Sequence, residues 1–153
     1  MVDLRFVNIG EIVDLRRRVL RGDDPAAEVV VAGDHVEGCF HLGLFENEVM
    51  VGCVSAFSEA CPDLEATPAW QFRFMAVEHL RQGTGFGRML MTRLLQELAT
   101  RGVKVAWANG RDTAQGFYEA MGFTIVEGSA HLSPSTGLPH HRIYKVVSED
   151  TAP

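Results

Sequence analysis

Apolar and polar residues alternate along several segments of the chain, and such alternation is typical of β-strands with one buried face. The first of these segments is LRFVNI, residues 4–9. Two richer runs, 39–46 and 49–57, are separated only by Asn47 and Glu48, a spacing that predicts a β-hairpin. Further strands are predicted at 70–77, 103–109, 123–127 and 142–147. The pattern therefore predicts a sheet of six to seven strands.

Apolar residues recur at helical spacing in three segments between the strands. Residues 12–20 place their apolar side chains on one helix face, 85–101 repeat an apolar residue at every fourth position, and 113–122 predict a shorter helix. Gly102 supplies the stop of the second helix. Helices interleaved with strands predict a single mixed α/β domain over residues 1–153, with a central sheet covered by helices on both faces.

The overall charge limits the classes of partner. The chain has 14 Lys and Arg against 20 Asp and Glu, a formal net charge of −6. A nucleic-acid surface needs a basic face, so nucleic acid is not an expected partner. The acidic balance fits a cationic or neutral small partner better.

Neither a targeting segment nor a membrane span is visible in the sequence. The N-terminal stretch lacks an apolar core after a basic start, and no apolar run reaches bilayer length. Cys39, Cys53 and Cys61 fall in or near strand patterns, which favours buried, reduced thiols. Their spacing with His41 matches no common zinc pattern. We therefore expect a cytoplasmic protein that binds neither a membrane nor a metal.

Three glycines at alternate positions lead from a predicted strand into a predicted helix, in the stretch HLRQGTGFGRMLMTRLL (79–95). Glycine costs about 0.5–1 kcal/mol relative to alanine inside regular structure, so Gly83, Gly85 and Gly87 need a physical reason. A glycine-rich turn before a helix lets successive N–H groups converge on an anion at the positive end of the helix dipole. The stretch therefore predicts a phosphate-binding loop.

Two common phosphate-binding motifs do not fit this loop. A dinucleotide fingerprint GxGxxG that starts at Gly83 needs glycine at position 88, where the chain has Arg88. A P-loop needs GxxxxGK followed by Ser or Thr, and the sequence contains no such string. A third pattern fits: Gln82, Gly85 and Gly87 form Q-x-x-G-x-G, five residues after Val77 at the end of a predicted strand.

This pattern resembles the acyl-CoA pyrophosphate loop of the GNAT N-acetyltransferase superfamily. FYEAMGF (117–123) resembles the second signature of that family, and the two lie at the usual separation. The resemblance covers nearly the whole chain. It implies a twisted mixed sheet whose fourth and fifth strands diverge, with acetyl-CoA as cosubstrate. It also implies direct attack on the thioester by a primary amine, from a small molecule or a peptide, in a ternary complex.

A narrower resemblance points to the small, single-domain bacterial ElaA-like branch of the superfamily. It is carried by the strings LRRRVLR, HLGLF, FRFMAV, RDTA and GLPHHRIYK. Many GNAT proteins have an asparagine seven residues before the signature tyrosine, where this chain has Arg111. Asn109 is the nearby alternative for a contact with the cofactor.

The resemblance also implies roles for individual residues. The cofactor contacts that it implies are Met75, Ala76 and Val77 for the pantetheine arm, Gln82, Gly83, Thr84, Gly85, Phe86 and Gly87 for the pyrophosphate, Arg81 or Arg88 for added charge, and Asn109. Tyr118 is the candidate general acid for the leaving thiolate, although its ring can equally serve only for packing. An N–H at the end of the fourth strand, assigned to Ala76, would face the thioester oxygen.

The general base stays open at this stage. Five side chains are chemically suitable, namely His41, His140, His141, Glu46 and Glu28, and a water chain can serve instead. His41 and His140 are also candidate acceptor-binding residues. The acceptor pocket is expected between the first helix, the connector 21–35 and the loop 128–141. The basic run Arg16, Arg17, Arg18 and Arg21 is expected on a solvated helix face, with an acidic substrate as the alternative role.

Other functions compete with catalysis. The same loop can bind acyl-CoA in a non-catalytic sensor or regulatory module, and an unrelated nucleotide-binding domain is a further alternative. An exposed last strand would favour a homodimer. The tail SEDTAP is expected to be frayed.

Overall fold

One open sheet runs through residues 1–147, the part of the chain that our computed structural model describes; the tail SEDTAP lies outside it. The strands are β1 (Val2–Val7), β2 (Phe40–Glu46), β3 (Val49–Ser58), β4 (Ala69–Val77), β5 (Val105–Arg111), β6 (Thr124–Ile125), β7 (His131–Leu132) and β8 (Pro139–Val146). The helices are α1 (Ile9–Leu20), α2 (Phe86–Thr100) and α3 (Gln115–Ala120), with short 3₁₀ turns at Ala32–His35, His79–Arg81 and Asp112–Ala114.

The strands lie in the order β1-β2-β3-β4-β5-β8-β6, and β7 pairs with β8. All paired strands are antiparallel except β4 and β5, which are parallel. The predicted mixed α/β architecture is therefore confirmed. The sheet has eight strands rather than six to seven, because the two-residue strand β7 forms within the segment 128–141, which was predicted as a loop.

Helices cover both faces of the sheet, as predicted. On β3, Val54 points to one face and packs in the main core with α2 and α3, whereas its neighbour Cys53 points to the other face and packs under α1. Leu90, Leu94 and Leu98 form the apolar stripe of α2 and are fully buried in the main core. The order of apolar residues along α2 therefore determines which face of the sheet this helix covers.

Helix α1 begins at Ile9, earlier than the sequence pattern predicts. Asn8 caps it: its side chain accepts from the Glu11 N–H at 3.2 Å, and the Glu11 carboxylate accepts from the Asn8 N–H at 3.4 Å. The predicted first strand, 4–9, therefore ends at Val7. Strand alternation concealed this capping box, since Asn8 and Ile9 also fit the strand pattern.

The parallel strands β4 and β5 separate after a short ladder. Three residue pairs join them, and the last is Gln71 with Trp107. The rest of β4, up to Val77, pairs only with β3, and the rest of β5, up to Arg111, pairs only with β8. The predicted divergence of the fourth and fifth strands is therefore confirmed, and it opens a gap in the sheet.

A β-bulge in β4 accompanies this divergence. The register with β3 shifts after Arg73, so that β4 has one residue more than β3 before Ala76. Phe74 lies in the shifted stretch with φ +56°, a left-handed conformation that is rare for an aromatic residue. Its ring faces α1, where the Arg16 Cζ lies 4.0 Å from the ring centroid. The bulge thus bends β4 and connects it to the first helix.

A buried ion pair fixes α1 on the sheet. Arg16 donates two hydrogen bonds to the Asp34 carboxylate, at 2.8 and 2.9 Å, one to Ser55 Oγ at 2.7 Å, and one to the Val29 carbonyl at 2.6 Å. Arg16 is 0% exposed, so the prediction of a solvated position for it is wrong. A charge this deep is tolerated because its carboxylate partner and hydrogen bonds replace the lost water.

The same contacts determine how Asp34 titrates. Burial raises its pKa, but the hydrogen bonds from Arg16 and from the Val31 N–H, together with the positive charge of Arg16, outweigh burial and lower the pKa overall. The folded-state pKa therefore lies below the unfolded value of about 3.9. The ionised carboxylate stabilises the fold above that pH, and this stabilisation is lost as the pH falls through the lowered folded-state pKa.

The last described strand, β8, lies inside the sheet. β5 pairs with one side of it, and β6 and β7 pair with the other side. The expectation of an exposed last strand is therefore wrong, because the edges of the described sheet are β1 on one side and β6 and β7 on the other. The homodimer was expected from an exposed last strand, so this strand no longer supports it, and the homodimer stays a prediction.

Replacing Arg16 by methionine should destabilise the fold by about 3–5 kcal/mol, because the Asp34 carboxylate stays buried without its partner. Arg18 provides a matched control on the same helix, since its pairs with Asp14 and Glu78, at 2.8 and 2.7 Å, are partly exposed. Arg18→Met should cost no more than about 1 kcal/mol. Urea unfolding at pH 7 measures both variants, and equal losses would contradict the importance of the buried pair.

Candidate active site

A cleft of about 690 Å³ opens where β4 and β5 separate. Its walls come from the end of α1, the middle of β4, the end of β5, the helix α3 and parts of the segment 131–140. A smaller groove beside it is bordered by Asp24 and Glu28 of the connector 21–35. Of the residues predicted for the site, the cleft is lined by Met75, Gln82, Asn109, Tyr118 and His140. The first helix, the connector 21–35 and the loop 128–141, which were predicted to surround the acceptor, therefore lie close together.

The glycine-rich loop before α2 presents N–H groups that the protein itself does not use. Gly83 and Gly85 have φ of +79° and +90°, a conformation that glycine adopts without strain. Within residues 1–147, none of the six N–H groups of residues 83–88 donates to a protein acceptor. The Thr84 hydroxyl closes the loop by donating to the Arg81 carbonyl. Free donors at the positive end of a 15-residue helix suit a phosphate or diphosphate.

Packing at the start of α2 holds this loop in place. The Phe86 side chain is buried in the main core, and Gly87 lies against the Phe117 ring of α3. A Cβ at position 87 would meet that ring at 3.5 Å, an ordinary contact distance. The start of α2 is thus fixed against α3, with the unused N–H groups on its outer side.

Side chains near the loop set its charge. Gln82 donates from Nε2 to the Val77 carbonyl at 3.0 Å and so ties the loop to the end of β4. Arg81 is paired with the Glu46 carboxylate at 2.6 Å. Arg88 is exposed and has no carboxylate partner in the part of the chain that the structure describes. Of the two arginines considered from the sequence, Arg88 is the one whose charge is uncompensated.

The backbone of Val77 points into the gap between β4 and β5. The Glu78 N–H donates to the Val51 carbonyl on β3 at 2.8 Å. Because successive residues of a strand alternate in direction, Val77 points away from β3 and Ala76 points toward it. The hydrogen bond from Gln82 to the Val77 carbonyl agrees with this alternation. The geometry therefore favours the Val77 N–H over the Ala76 N–H as a donor into the gap.

Tyr118 forms part of the cleft wall. Its ring packs against Phe72, Phe117 and Phe123, with centroid distances of 6.1, 5.4 and 5.8 Å. Burial raises the pKa of Tyr118 to about 12, and the positive charge of Arg111 opposes this only in part. Its hydroxyl has no protein hydrogen-bond partner among residues 1–147. Tyr118 therefore packs as a core residue and also lines the cleft with a phenol that is protonated at neutral pH.

The five candidate bases lie in different places, and only His140 lines the main cleft. His41 is buried with its Nδ1 2.6 Å from Ser55 Oγ; burial lowers its pKa, although the charge of Asp34 acts in the opposite direction. The other three are placed as follows: His141 pairs with Asp112 at 2.7 Å, Glu46 pairs with Arg81 at 2.6 Å, and Glu28 is exposed beside the smaller groove. His41 is thus outside the cleft that it was predicted to serve.

The hydrogen bond of His140 defines which ring nitrogen is free. Its Nδ1 lies 2.8 Å from the Leu138 carbonyl oxygen. A carbonyl oxygen only accepts, so Nδ1 carries the proton and donates. In the neutral ring, Nε2 therefore keeps its lone pair and can accept a proton. The ring also packs beside His131, with centroids 5.9 Å apart.

Arginines from three elements line the cleft: Arg21 follows α1, Arg73 lies in β4 and Arg111 ends β5. Arg21 and Arg111 were considered from the sequence, whereas Arg73 was not. A signal for it exists in WQFRFM, where Gln71 and Arg73 alternate with apolar residues. Such alternation places both polar side chains on the face opposite Phe72, which packs in the main core.

The sequence also matches known proteins. The sequence profile of the Acetyltransferase (GNAT) family matches residues 10–123 of the chain. The chain belongs to the GNAT family of acetyltransferases. A curated relative is YitI of Bacillus subtilis (strain 168), an uncharacterized N-acetyltransferase that is 27% identical over 123 residues, 80% of this chain and 83% of the relative. These matches assign the chain to the acyltransferases.

Solved GNAT structures superpose on nearly the whole chain. ElaA of Escherichia coli matches with a TM-score of 0.73 at 16% identity, over 95% of this chain and 99% of ElaA. An aminoglycoside 6'-N-acetyltransferase complexed with coenzyme A matches with a TM-score of 0.71 at 15% identity, over 95% of this chain and 97% of that chain. At such identities the likeness shows the fold alone. The GNAT fold is thus confirmed, and the narrower ElaA-like branch stays a prediction.

The remaining features of this GNAT domain concern metals, membranes and thiols. Within residues 1–147, no three His, Cys, Asp or Glu side chains gather closely enough to hold a metal ion. No helix in that range combines the length and the apolar character needed to cross a bilayer. Cys53 and Cys61 are buried, Cys39 is half-buried, and all three are free thiols.

The raised pKa of Tyr118 can be measured directly in this GNAT domain. The chain has two tyrosines, so the Tyr144→Phe variant keeps Tyr118 as its sole phenol. We expect its phenolate absorbance to appear with a midpoint near pH 12, because burial disfavours the charged form. Circular dichroism at each pH confirms that the protein is folded. A midpoint near 10, the ordinary value for tyrosine, would contradict the buried environment.

Proposed function

We propose that the protein is an N-acetyltransferase that moves an acetyl group from acetyl-CoA to the primary amine of an acceptor in a ternary complex. The observation that carries the proposal is the row of six unused N–H groups beside the gap that leads to Tyr118. Family membership supports acyl transfer, and the related fold that binds coenzyme A supports the cosubstrate. The acetyl group and a cytoplasmic location belong to the proposal.

The residues fit coenzyme A in a defined order. The N–H groups of residues 83–88 and the charge of Arg88 suit the diphosphate. Val77 and Met75, at the free edge of β4, suit the amides of the pantetheine arm, which would pair with them as an added strand does. Asn109 lines the same cleft from β5. When bound, acetyl-CoA supplies the acetyl group as a thioester.

The transfer requires a C–N bond to form, a C–S bond to break, a proton to leave nitrogen and a proton to reach sulfur. In this proposal the Val77 N–H donates to the carbonyl oxygen as it gains charge, a contribution of about 2.7–4 kcal/mol in comparable acyl transfers. His140 Nε2 accepts the proton from the amine, and the Tyr118 hydroxyl donates a proton to the sulfur.

Direct attack is favoured over a covalent enzyme intermediate because the cysteines are poorly placed. Burial raises the pKa of the Cys53 thiol to about 12, which leaves it unreactive at neutral pH. Neither Cys39 nor Cys61 lines the cleft. A nucleophile would have to be partly exposed and lie in the cleft, and none of the three thiols meets both requirements.

Coenzyme A binding tests the loop. Gly85→Ala should weaken binding about tenfold or more, because alanine disfavours the φ of +90° that aims the N–H groups. Gly102→Ala is a matched control at the other end of α2, with φ +76° and open space around it, as at Gly85. Both variants should lose similar stability, whereas only Gly85→Ala should lose affinity in calorimetry. Absence of binding by the unaltered protein at millimolar coenzyme A would refute the proposal.

Turnover tests the role of Tyr118. Thiol release from acetyl-CoA is measured with a panel of amines. The Tyr118→Phe variant should have a kcat about 10²-fold or more lower, because the leaving sulfur loses its proton donor. Tyr144→Phe is the control and should keep full activity. Coenzyme A affinity should be equal in both variants. Binding without turnover for any amine, and no effect of Tyr118→Phe, would instead favour a non-catalytic acyl-CoA sensor.

A further inference from the structure

We infer that the acceptor amine carries an anionic group, a carboxylate or a phosphate, which binds to Arg21, Arg73 and Arg111 in the cleft. This inference rests on the proposed function, since it specifies the acceptor of the same site. It contrasts with the bulk charge of −6, which favours a cationic or neutral partner. The local charge of the cleft is therefore the deciding feature.

These three arginines differ from most others in the chain because they have no carboxylate partner. Seven arginines form ion pairs, namely Arg5, Arg16, Arg18, Arg81, Arg93, Arg101 and Arg142. Within residues 1–147, no Asp or Glu lies at ion-pair distance from Arg21, Arg73 or Arg111, although acidic residues outnumber basic ones. A partner from outside the described chain is the physical complement of such a group.

Two shared partners, the Leu20 carbonyl oxygen and the Phe74 ring, connect the guanidinium groups. Arg21 and Arg111 both donate to the Leu20 carbonyl oxygen, each at 3.0 Å. Arg21 and Arg73 both lie over the Phe74 ring, with Cζ 5.4 and 5.0 Å from its centroid. These contacts orient the side chains and use few of their donors. Within residues 1–147, most of their N–H groups therefore have no protein acceptor.

Mutual repulsion makes this group of arginines receptive to an anion. Burial lowers the pKa of Arg21, and the charges of Arg111, Arg73 and Arg16 lower it further. Burial and the charge of Arg16 also lower the pKa of Arg73, while Asp34 acts in the opposite direction. Asp34 cannot neutralise the group, because Arg16 occupies both of its carboxylate oxygens. A bound anion would relieve the repulsion and accept charge-assisted hydrogen bonds.

The arginines are separate from the residues that fit the diphosphate of coenzyme A. On β4, the bulge at Phe74 separates Arg73 from Val77, and the loop at 83–88 follows later still. Arg21 instead faces the segment after β7, where its Nη2 lies 3.4 Å from Ser135 Oγ. The cleft thus has two places for negative charge, the loop for the cosubstrate and the arginines for the acceptor.

Matched acceptors test the inference. Each common amino acid is offered beside its carboxamide, which keeps the amine and side chain but lacks the negative charge. The pair 2-aminoethyl phosphate and ethanolamine tests phosphate in the same way. At saturating acetyl-CoA, we expect kcat/KM about tenfold or more higher for the charged member of the preferred pair. The preferred pair shows whether the anion is a carboxylate or a phosphate, and equal rates within every pair overturn the inference.

Substitutions test whether the arginines cause the preference for the charged acceptor. Arg21→Gln and Arg73→Gln should each raise KM for the charged acceptor about tenfold or more, with kcat, coenzyme A affinity and the rate of the uncharged partner unchanged. Arg5→Gln is the control and should alter none of these values, because Arg5 lies on the edge strand β1 and pairs with the exposed Glu48 at 3.1 Å. A lower kcat with unchanged KM in the cleft variants would indicate a structural role and overturn the inference.

A binding measurement keeps this test independent of turnover. If no amine is acetylated, the proposed function fails, but the arginine site can still be examined with N-acetyl amino acids, their amides and 2-acetamidoethyl phosphate in the presence of coenzyme A. We expect thermal stabilisation by a charged probe but not by its uncharged counterpart, and loss of that stabilisation in Arg73→Gln. Equal effects of charged and uncharged probes overturn the inference.

Discussion

The parallel ladder between β4 and β5 ends after Gln71 and Trp107, and the site depends on where it ends. Each strand has an antiparallel partner on its other side, β3 or β8, so the two can separate without losing their place in the sheet. The separation leaves backbone groups of Val77 without a strand partner and lets the Tyr118 ring line a cleft instead of a closed core. A longer ladder would bury the same groups and leave no space for a thioester.

Arg16 connects this gap to the rest of the fold. Its guanidinium binds Asp34 from the connector and Ser55 from β3, and it covers the ring of Phe74 at the bulge. The first helix, the connector and the bent strand are therefore held by one charged group that has no access to water. Such a group stabilises one arrangement of its neighbours, since any other arrangement would leave a buried charge or carboxylate without a partner.

The order of residues over short stretches was sufficient to predict the features that depend on backbone conformation and helical spacing. The glycine loop and the apolar stripe of α2 follow from residues close together in the sequence, whereas the role of Tyr118 was implied by the family resemblance. The buried state of Arg16 could not be predicted, because its partners Asp34 and Ser55 are distant in sequence and a polar run normally indicates a solvated face. The alternation in WQFRFM indicates which face of β4 Arg73 occupies, but its position in the cleft depends on the divergence of β4 and β5, which that alternation does not show.

The position of β8 has a consequence for the order of folding. Its partners β5, β6 and β7 all precede it in the chain, and its pairs with β5 run from Arg111 with His140 to Val105 with Val146. Until Pro139–Val146 has been synthesised, one edge of β5 lacks its strand and can pair with the strands of other chains. Because such long-range pairing forms slowly, the nascent protein is most prone to aggregate before this insertion is complete.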